Sequence, residues 1–281
     1  LVNPIRGIIS DRSGKLLALN KNTFRILCIV DNKVELRKVL FKLSKFIYLD
    51  NFETKKVIED FSKKKRNQPY LIRENLKWNE VSSISTNSFL LPEIMIESGL
   101  LRKYPFKQIA AHTIGYLAPP LSSEIKKEPI LGLMNINVGR FGIEEQLEKK
   151  LRGIPGARHL EVNAYGRTVR ELRKENSKSG ENIKLSIDIE LQKYLYSLLK
   201  NKSGSIVAIN VQNGEIIGMT SAPSFDPNSF HQGLSESEWE LLSKDPLSPL
   251  VNKAISGEYS PGSTFKMIVL LSAFKNKILK K

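Results

Sequence analysis

Two β-rich runs, Ser205-Ile206-Val207-Ala208-Ile209-Asn210-Val211 and Glu215-Ile216-Ile217-Gly218-Met219, flank Gln212-Asn213-Gly214. Asn and Gly tolerate the backbone conformations of a tight reversal, so this pattern predicts an antiparallel hairpin. Ahead of it, Asp188 is placed to cap a helix whose face is Leu191, Leu195, Leu198 and Leu199. Behind it, a Pro- and Ser-rich loop runs from Ala222 to Leu234. A helix from Ser235 to Leu242 follows, with Ser235 as its cap, and Leu247 to Ile255 leads into the last feature of the chain.

The preceding residues have a different grammar. Short strands are expected at Ile8-Ile9, Leu16 to Leu19 and Phe24 to Val30, with turn chemistry at Asp11-Arg12-Ser13-Gly14. Leu36, Leu40, Leu43 and Ile47 recur at three or four and predict a helix over Lys33 to Ile47. Shorter helices are expected at Ile58 to Lys65, Trp78 to Ile84 and Ile109 to His112, the last ended at Gly115. Pro119-Pro120 breaks the chain, and a charged surface loop is expected as far as Pro129. From Phe141 to Gly156, Ile143, Leu147 and Leu151 form a stripe with Glu144, Glu145 and Glu148 opposite, and Gly153 and Gly156 stop the helix. Leu160 to Val162, a turn at Asn163 to Gly166 and a strand at Thr168 to Leu172 come next. The polar stretch Arg173 to Asn182 reads as a linker, which divides the chain into domains 1–181 and 182–281.

At 41% hydrophobic and 26% charged residues, the 281-residue chain can bury a core, which excludes global disorder. Its single cysteine, Cys28, excludes an internal disulfide framework and reads as a core thiol. The formal net charge of +15 is no nucleic-acid footprint: basic runs such as Lys63-Lys64-Lys65-Arg66 lack interleaved aromatics, and Lys, Asn and Ile are abundant throughout. His112, His159 and His231 are too scattered for a metal site. His112, beside two alanines, reads as a packed residue with its ring bonded to backbone. Glu144 and Glu145, like Glu236 and Glu238, read as solvated helix positions. No glycine pattern cradles a phosphate, so neither metal nor cofactor is expected. The longest apolar run, Met267 to Phe274, is too short to span a bilayer.

The most specific motif is Gly257-Glu258-Tyr259-Ser260-Pro261-Gly262-Ser263-Thr264-Phe265-Lys266. Pro261-Gly262 makes a turn that opens a helix, so Ser263 falls at its N-terminus with Lys266 one turn along. A serine hydroxyl becomes a nucleophile when a base takes its proton, and a lysine amine does so when burial keeps it neutral. Ser-x-x-Lys occurs five times in the chain, at Ser62, Ser123, Ser197, Ser263 and Ser272. Only Ser263 combines the Pro-Gly turn with an apolar helix behind it. That context alone leaves a catalytic serine and an ordinary helix cap both open.

Tyr259 to Lys266 resembles the active-serine motif of class B penicillin-binding proteins. Pro249 to Ile255 is similar to their lead-in, and Ala222-Pro223-Ser224-Phe225-Asp226-Pro227-Asn228-Ser229-Phe230 to the start of their transpeptidase domain. Phe230 to Ser235 is closest to the elongation branch, penicillin-binding protein 2. Upstream, Arg6 to Gly14, Tyr104-Pro105, Ala110-Ala111-His112, Gly115-Tyr116, Gly142-Ile143-Glu144 and Leu151-Arg152-Gly153 resemble the family's non-catalytic pedestal, with Leu91-Pro92-Glu93 departing from its usual Pro-Gly.

The resemblance implies an α+β fold, a pedestal followed by the N-terminal part of a transpeptidase domain. In that reading Ser263 attacks D-Ala-D-Ala stem peptides of peptidoglycan or β-lactams, and Lys266 takes its proton. It also implies a membrane glycan polymerase and other elongation proteins as partners. The setting is the periplasmic face of a bacterial inner membrane, with an anchor upstream of Leu1. The family's Ser-x-Asn and Lys-Thr/Ser-Gly motifs follow the nucleophile, and neither occurs between Lys266 and Lys281. Ser85-Thr86-Asn87, Lys178-Ser179-Gly180 and Lys202-Ser203-Gly204 are upstream coincidences. Little transpeptidase activity and poor folding beyond about residue 181 are therefore expected of the chain alone. A non-catalytic interaction module and the product of a split or decayed gene are the alternatives.

Overall fold

The computed structural model describes residues 1–61, 69–134, 136–162, 168–230 and 234–279. The basic run Lys63 to Arg66, the turn at Asn163 to Gly166 and His231 lie outside these. In chain order the first lobe begins with β1 (Ile9–Ser10), β2 (Leu16–Cys28), α1 (Lys33–Leu43), α2 (Asn51–Asp60), β3 (Tyr70–Arg73), α3 (Trp78–Thr86) and β4 (Ile94–Lys103). It continues through α4 (Ala111–Ile114), β5 (Tyr116–Ala118), α5 (Ser122–Lys127), α6 (Ile130–Met134), β6 (Val138–Arg140), α7 (Gly142–Gln146), α8 (Glu148–Arg152), β7 (Ala157–Val162) and β8 (Thr168–Glu175).

β2 is the spine of the lobe. It pairs antiparallel with β4 from Leu19↔Lys103 to Cys28↔Ile94, with β3 near its end and with β1 near its start. The two strands read as separate in the sequence are thus one, because β4 pairs the polar middle Asn20-Lys21-Asn22. β4 itself carries no clean alternation and was not expected. Asn32 caps α1 by accepting from the Glu35 N–H at 2.9 Å, and Leu36, Val39, Leu40 and Leu43 then face inward. They meet Ile26, the buried Cys28 and, from α3, Val81 and Ile84 in one core. The helix expected at Ile58 starts at Asn51 instead, since its apolar residues Val57 and Ile58 are only partly buried and make a faint stripe.

A second core gathers Ile9, Leu17, Tyr104, Ile114, Leu151 and Ile189. Here three expectations are corrected. The charged stretch before Pro129 is helical, because Glu124 reaches back to the Leu121 N–H at 2.7 Å and Lys126 and Lys127 fall in the last turn of α5. The helix expected from Phe141 is broken into α7 and α8 at Leu147. Glu144 is fully buried, not solvated.

The Glu144 carboxyl accepts from Arg102 Nε at 2.8 Å and Tyr104 OH at 3.2 Å on one oxygen, and from Arg6 Nε at 2.8 Å on the other. Arg6 also bonds Glu148 at 2.6 Å, and Arg102 Nη1 donates to the Gly7 carbonyl and Asn20 Oδ1. Burial alone would lower the Arg6 pKa, but Glu144 and Glu148 outweigh it and hold it above its ordinary value. Burial first, then the charge of Glu144, pushes the Tyr104 phenol well up, so it stays a donor. β6 comes so close that a Cβ at Gly139 would overlap the Glu144 carbonyl.

After β8 the chain returns through β9 (Ile183–Lys184), which pairs parallel with β1. The second lobe follows: α9 (Ile189–Leu198), β10 (Gly204–Ile209), β11 (Ile216–Ala222), α10 (Glu236–Ser243), α11 (Lys253–Ser256) and α12 (Phe265–Lys275). Asp188 caps α9, Ser235 caps α10 in a capping box, and β10 and β11 pair antiparallel, as expected from the sequence. Gly214 takes φ +77° in the reversal. No helix among the described residues is long and apolar enough to cross a membrane.

The lobes meet on residues 104–116. Asn228 accepts from the Tyr104 N–H at 2.9 Å and donates to its carbonyl at 3.0 Å. Gln192 donates to the Ile109 and Met219 carbonyls, and Thr113 Oγ1 donates to the latter at 3.1 Å. Tyr116 stacks on Phe230 with centroids 3.9 Å apart, and His112 meets Phe225 edge-on at 5.2 Å. Burial lowers the His112 pKa to about 4, the charge of Lys253 adds to this, and backbone acceptors at Pro223 and Pro249, which would favour a protonated ring, oppose it.

Replacing Glu144 by Gln leaves the buried Arg102 guanidinium without its counter-charge and Arg6 with Glu148 alone, so Glu144→Gln is expected to lower stability by about 3 kcal/mol or more. Glu145→Gln, at an exposed position, should stay within about 0.5 kcal/mol. Urea unfolding of the full chain measures both. His112 is neutral in the fold, and the unfolded chain binds the extra proton below the ordinary pKa of 6.5. Its contribution is therefore complete above pH 6.5 and lost as pH falls to about 4. The loss amounts to about 3 kcal/mol. Stability measured across that window should fall less steeply in His112→Gln than in the parent chain.

Candidate active site

The segment that leads to Ser263 is built on the junction between the lobes. Asn252 caps α11, accepting from the Ala254 N–H at 3.2 Å, while its amide donates to the His112 carbonyl at 3.3 Å. One side chain thus ties the first lobe to the run before the Ser-x-x-Lys motif. The hydroxyl of the buried Ser221, on β11, accepts from the Lys253 N–H at 3.0 Å and donates to the Val251 carbonyl at 3.3 Å. Lys253 is buried, with its amine bonded to the Ser248 carbonyl at 2.9 Å. Burial lowers its pKa, and Asp245 opposes the shift. The sequence marked the run Pro249 to Ile255 by resemblance but gave no sign that Lys253 within it is buried.

From Gly257 the chain runs outward. Gly262 takes φ +54°, and Gly262–Thr264 form a 3₁₀ turn that passes directly into α12. The Thr264 hydroxyl and N–H both donate to the Pro261 carbonyl, which closes the turn. Ser263 therefore stands in the turn that opens the helix, and Lys266 is the second residue of α12. Both are exposed, and no hydrogen bond or ion pair of either side chain is present among the described residues.

α12 has apolar residues around its whole circumference. Met267 is 65% exposed and Leu271 68%, and no residue of the helix is buried. A helix with no polar face belongs in a protein interior. The burial that would keep a lysine neutral is thus not supplied by the described residues. The remaining expected positions are elsewhere: His159 is exposed on β7, and Glu236 and Glu238 face solvent on α10. A groove of about 1040 Å³ lies in the first lobe, lined by residues between Glu124 and Pro155 and by neither Ser263 nor Lys266. Among its charges, Arg140 pairs with Glu124 at 2.6 Å and Arg152 with Glu128 at 2.6 Å.

Comparison with known proteins matches both lobes. Residues 1–185 match the penicillin-binding protein dimerisation domain, and residues 204–281 the penicillin-binding protein transpeptidase domain. The chain is 30% identical over 283 residues to peptidoglycan D,D-transpeptidase MrdA of Escherichia coli K12, covering 99% of this chain and 45% of that protein. It is 33% identical over 293 residues to penicillin-binding protein 3 of Bacillus subtilis 168, covering 99% and 41%. It thus spans less than half the length of these relatives. Among solved structures, the complex between penicillin-binding protein (PBP2) and MreC from Helicobacter pylori superposes with TM-score 0.83 at 27% identity, covering 98% of this chain and 52% of that one. The chain therefore belongs to the class B penicillin-binding proteins of the MrdA type, with a dimerisation domain, the pedestal, followed by the start of a transpeptidase domain.

Proposed function

We propose that the chain is the pedestal and nucleophile-bearing part of a cell-wall-elongation D,D-transpeptidase. The observation that carries this reading is the placement of Ser263, in an exposed turn at the head of an apolar helix with Lys266 three residues on, in a chain of this family. In the proposed reaction Ser263 Oγ attacks the carbonyl of the D-Ala-D-Ala bond of a stem peptide and Lys266 accepts its proton. The proton passes to the departing D-Ala amine, leaving an acyl-serine. The amine of a neighbouring stem attacks that ester, forms the cross-link and returns the hydroxyl to Ser263. The carbonyl oxygen becomes an anion in each step, and the Ser263 N–H is one of the two donors such an oxyanion needs. β-Lactams acylate the same hydroxyl by ring opening.

The reading places the pedestal over about residues 1–181 and the protein on the periplasmic face of the inner membrane. It also holds that residues 1–281 acylate poorly by themselves. Lys266 is exposed, and the second oxyanion donor, Ser-x-Asn and Lys-Thr/Ser-Gly are not in residues 267–281. A docking role for the pedestal accompanies the enzymatic one. It is supported by the likeness over 98% of the chain to a PBP2 solved with MreC, and it points to an MreC-like protein and a glycan polymerase as partners.

Fluorescent penicillin tests the assignment on the 281-residue chain and on the longest polypeptide its gene encodes. A product carrying both downstream motifs is expected to label at Ser263 and to lose the label in Ser263→Ala, and the chain alone should label only in trace. Robust labelling of the chain alone, abolished by Ser263→Ala, would refute the need for those motifs. No labelling of a product that carries them would refute Ser263 as nucleophile.

A further inference from the structure

α1 is amphipathic toward the core, but its outward side is not the plain polar face that such a helix presents to water. At 100° per residue, Val34, Lys38, Phe41 and Lys45 in the turn that follows lie on one line. That line is opposite the buried Leu36, Val39, Leu40 and Leu43. Val34 is 63% exposed and Phe41 69%. Arg37 and Lys42 flank the line, and both are exposed. Between Lys33 and Lys45 the basic residues are five and the only acid is Glu35. Glu35 is held at the helix start by Asn32 and the Asp31 N–H. Lys45 Nζ stands 5.3 Å from the Phe41 ring centroid, so cation and ring form one unit. Lys42 reaches Glu93 at 3.3 Å, close in sequence to Phe89 and Leu90, which are themselves exposed.

Single exposed apolar side chains are ordinary. Two of them, two turns apart on one line and interleaved with Lys38 and Lys45, which have no acidic partner among the described residues, have the chemistry of a surface that meets anions and hydrocarbon together. A soluble polyanion would use the cations and leave Val34 and Phe41 in water. An anionic bilayer uses both, with basic side chains at the headgroups and apolar ones at the acyl boundary. We propose that the outward face of α1 docks on an anionic bilayer surface, through Val34 and Phe41 with Arg37, Lys38 and Lys45 around them. This goes beyond the enzymatic reading and does not depend on it, since docking is read without any turnover.

The full chain is tested by co-sedimentation with vesicles of phosphatidylcholine, with and without phosphatidylglycerol, and by hydrogen exchange of residues 33–45. The expected result is binding to the anionic vesicles with slowed exchange over 33–45, weakened by salt. Phe41→Ser should weaken binding about tenfold and Lys38→Glu about fivefold. Lys149→Glu, an equal charge change on α8, should stay within about twofold. All three positions are exposed, and unchanged circular dichroism melting keeps the comparison free of folding effects. The proposal is overturned by equal binding to neutral vesicles, or by protection confined to 265–279, which would assign binding to α12. It is also overturned if Lys149→Glu costs as much as Lys38→Glu while Phe41→Ser costs nothing, the signature of general charge attraction.

Discussion

Two guanidinium groups converge on the Glu144 carboxyl in the interior of the first lobe, and much of the rest of the fold is placed by that contact. Arg6 brings the entry segment, Arg102 the end of β4, Tyr104 the start of the junction segment 104–116, and Glu148 adds α8 through Arg6. Charges out of water are costly unless paired and fully bonded, so these segments are constrained to meet in one arrangement. Arg102 also bonds the Gly7 carbonyl, and Asn20 the Arg6 carbonyl, which holds the entry backbone against β2 and β4. From Tyr104 the same chain runs to Asn228 and on to the aromatic cluster of Tyr116, Phe225 and Phe230.

The order that begins at Glu144 ends before the chemistry does. Asn252, bonded to the His112 carbonyl, and Lys253, held by Ser221, are the last well-packed residues before the Ser-x-x-Lys motif. α12, which carries Lys266, has its apolar circumference in water, and its mean hydropathy demands an interior that the described residues do not form. The proposed nucleophile is thus positioned along the chain but not enclosed, and enclosure is what depresses an amine's proton affinity and strengthens an oxyanion's hydrogen bonds.

Features encoded within about a dozen residues were legible. The Asp188 and Ser235 caps, the 204–222 hairpin and the turn ahead of Ser263 depend on neighbours in sequence and are found where they are read, as is the α1 stripe, except that the helix ends at Leu43 and the buried Ile47 lies past it. What failed depended on distant partners. β4 has Ser98-Gly99 in its middle and shows no alternation, yet it pairs through ten residues because β2 lies beside it. α5 was hidden by its charges, although Glu124 at its start and lysines at its end are what a short helix requires.

By itself the sequence determined the hairpin and the Ser263–Lys266 spacing, because these rest on local propensity and on a contiguous motif, and through the resemblance of its motifs it determined the family and the α+β class. Tertiary structure alone decided that Glu144 is a buried counter-ion while Glu145, its neighbour, is solvated, since their difference lies in Arg6 and Arg102 and not in the helix that bears them. It decided likewise that Lys266 stands in water, because the environment of a side chain is set by what packs over it, which no spacing along one helix records.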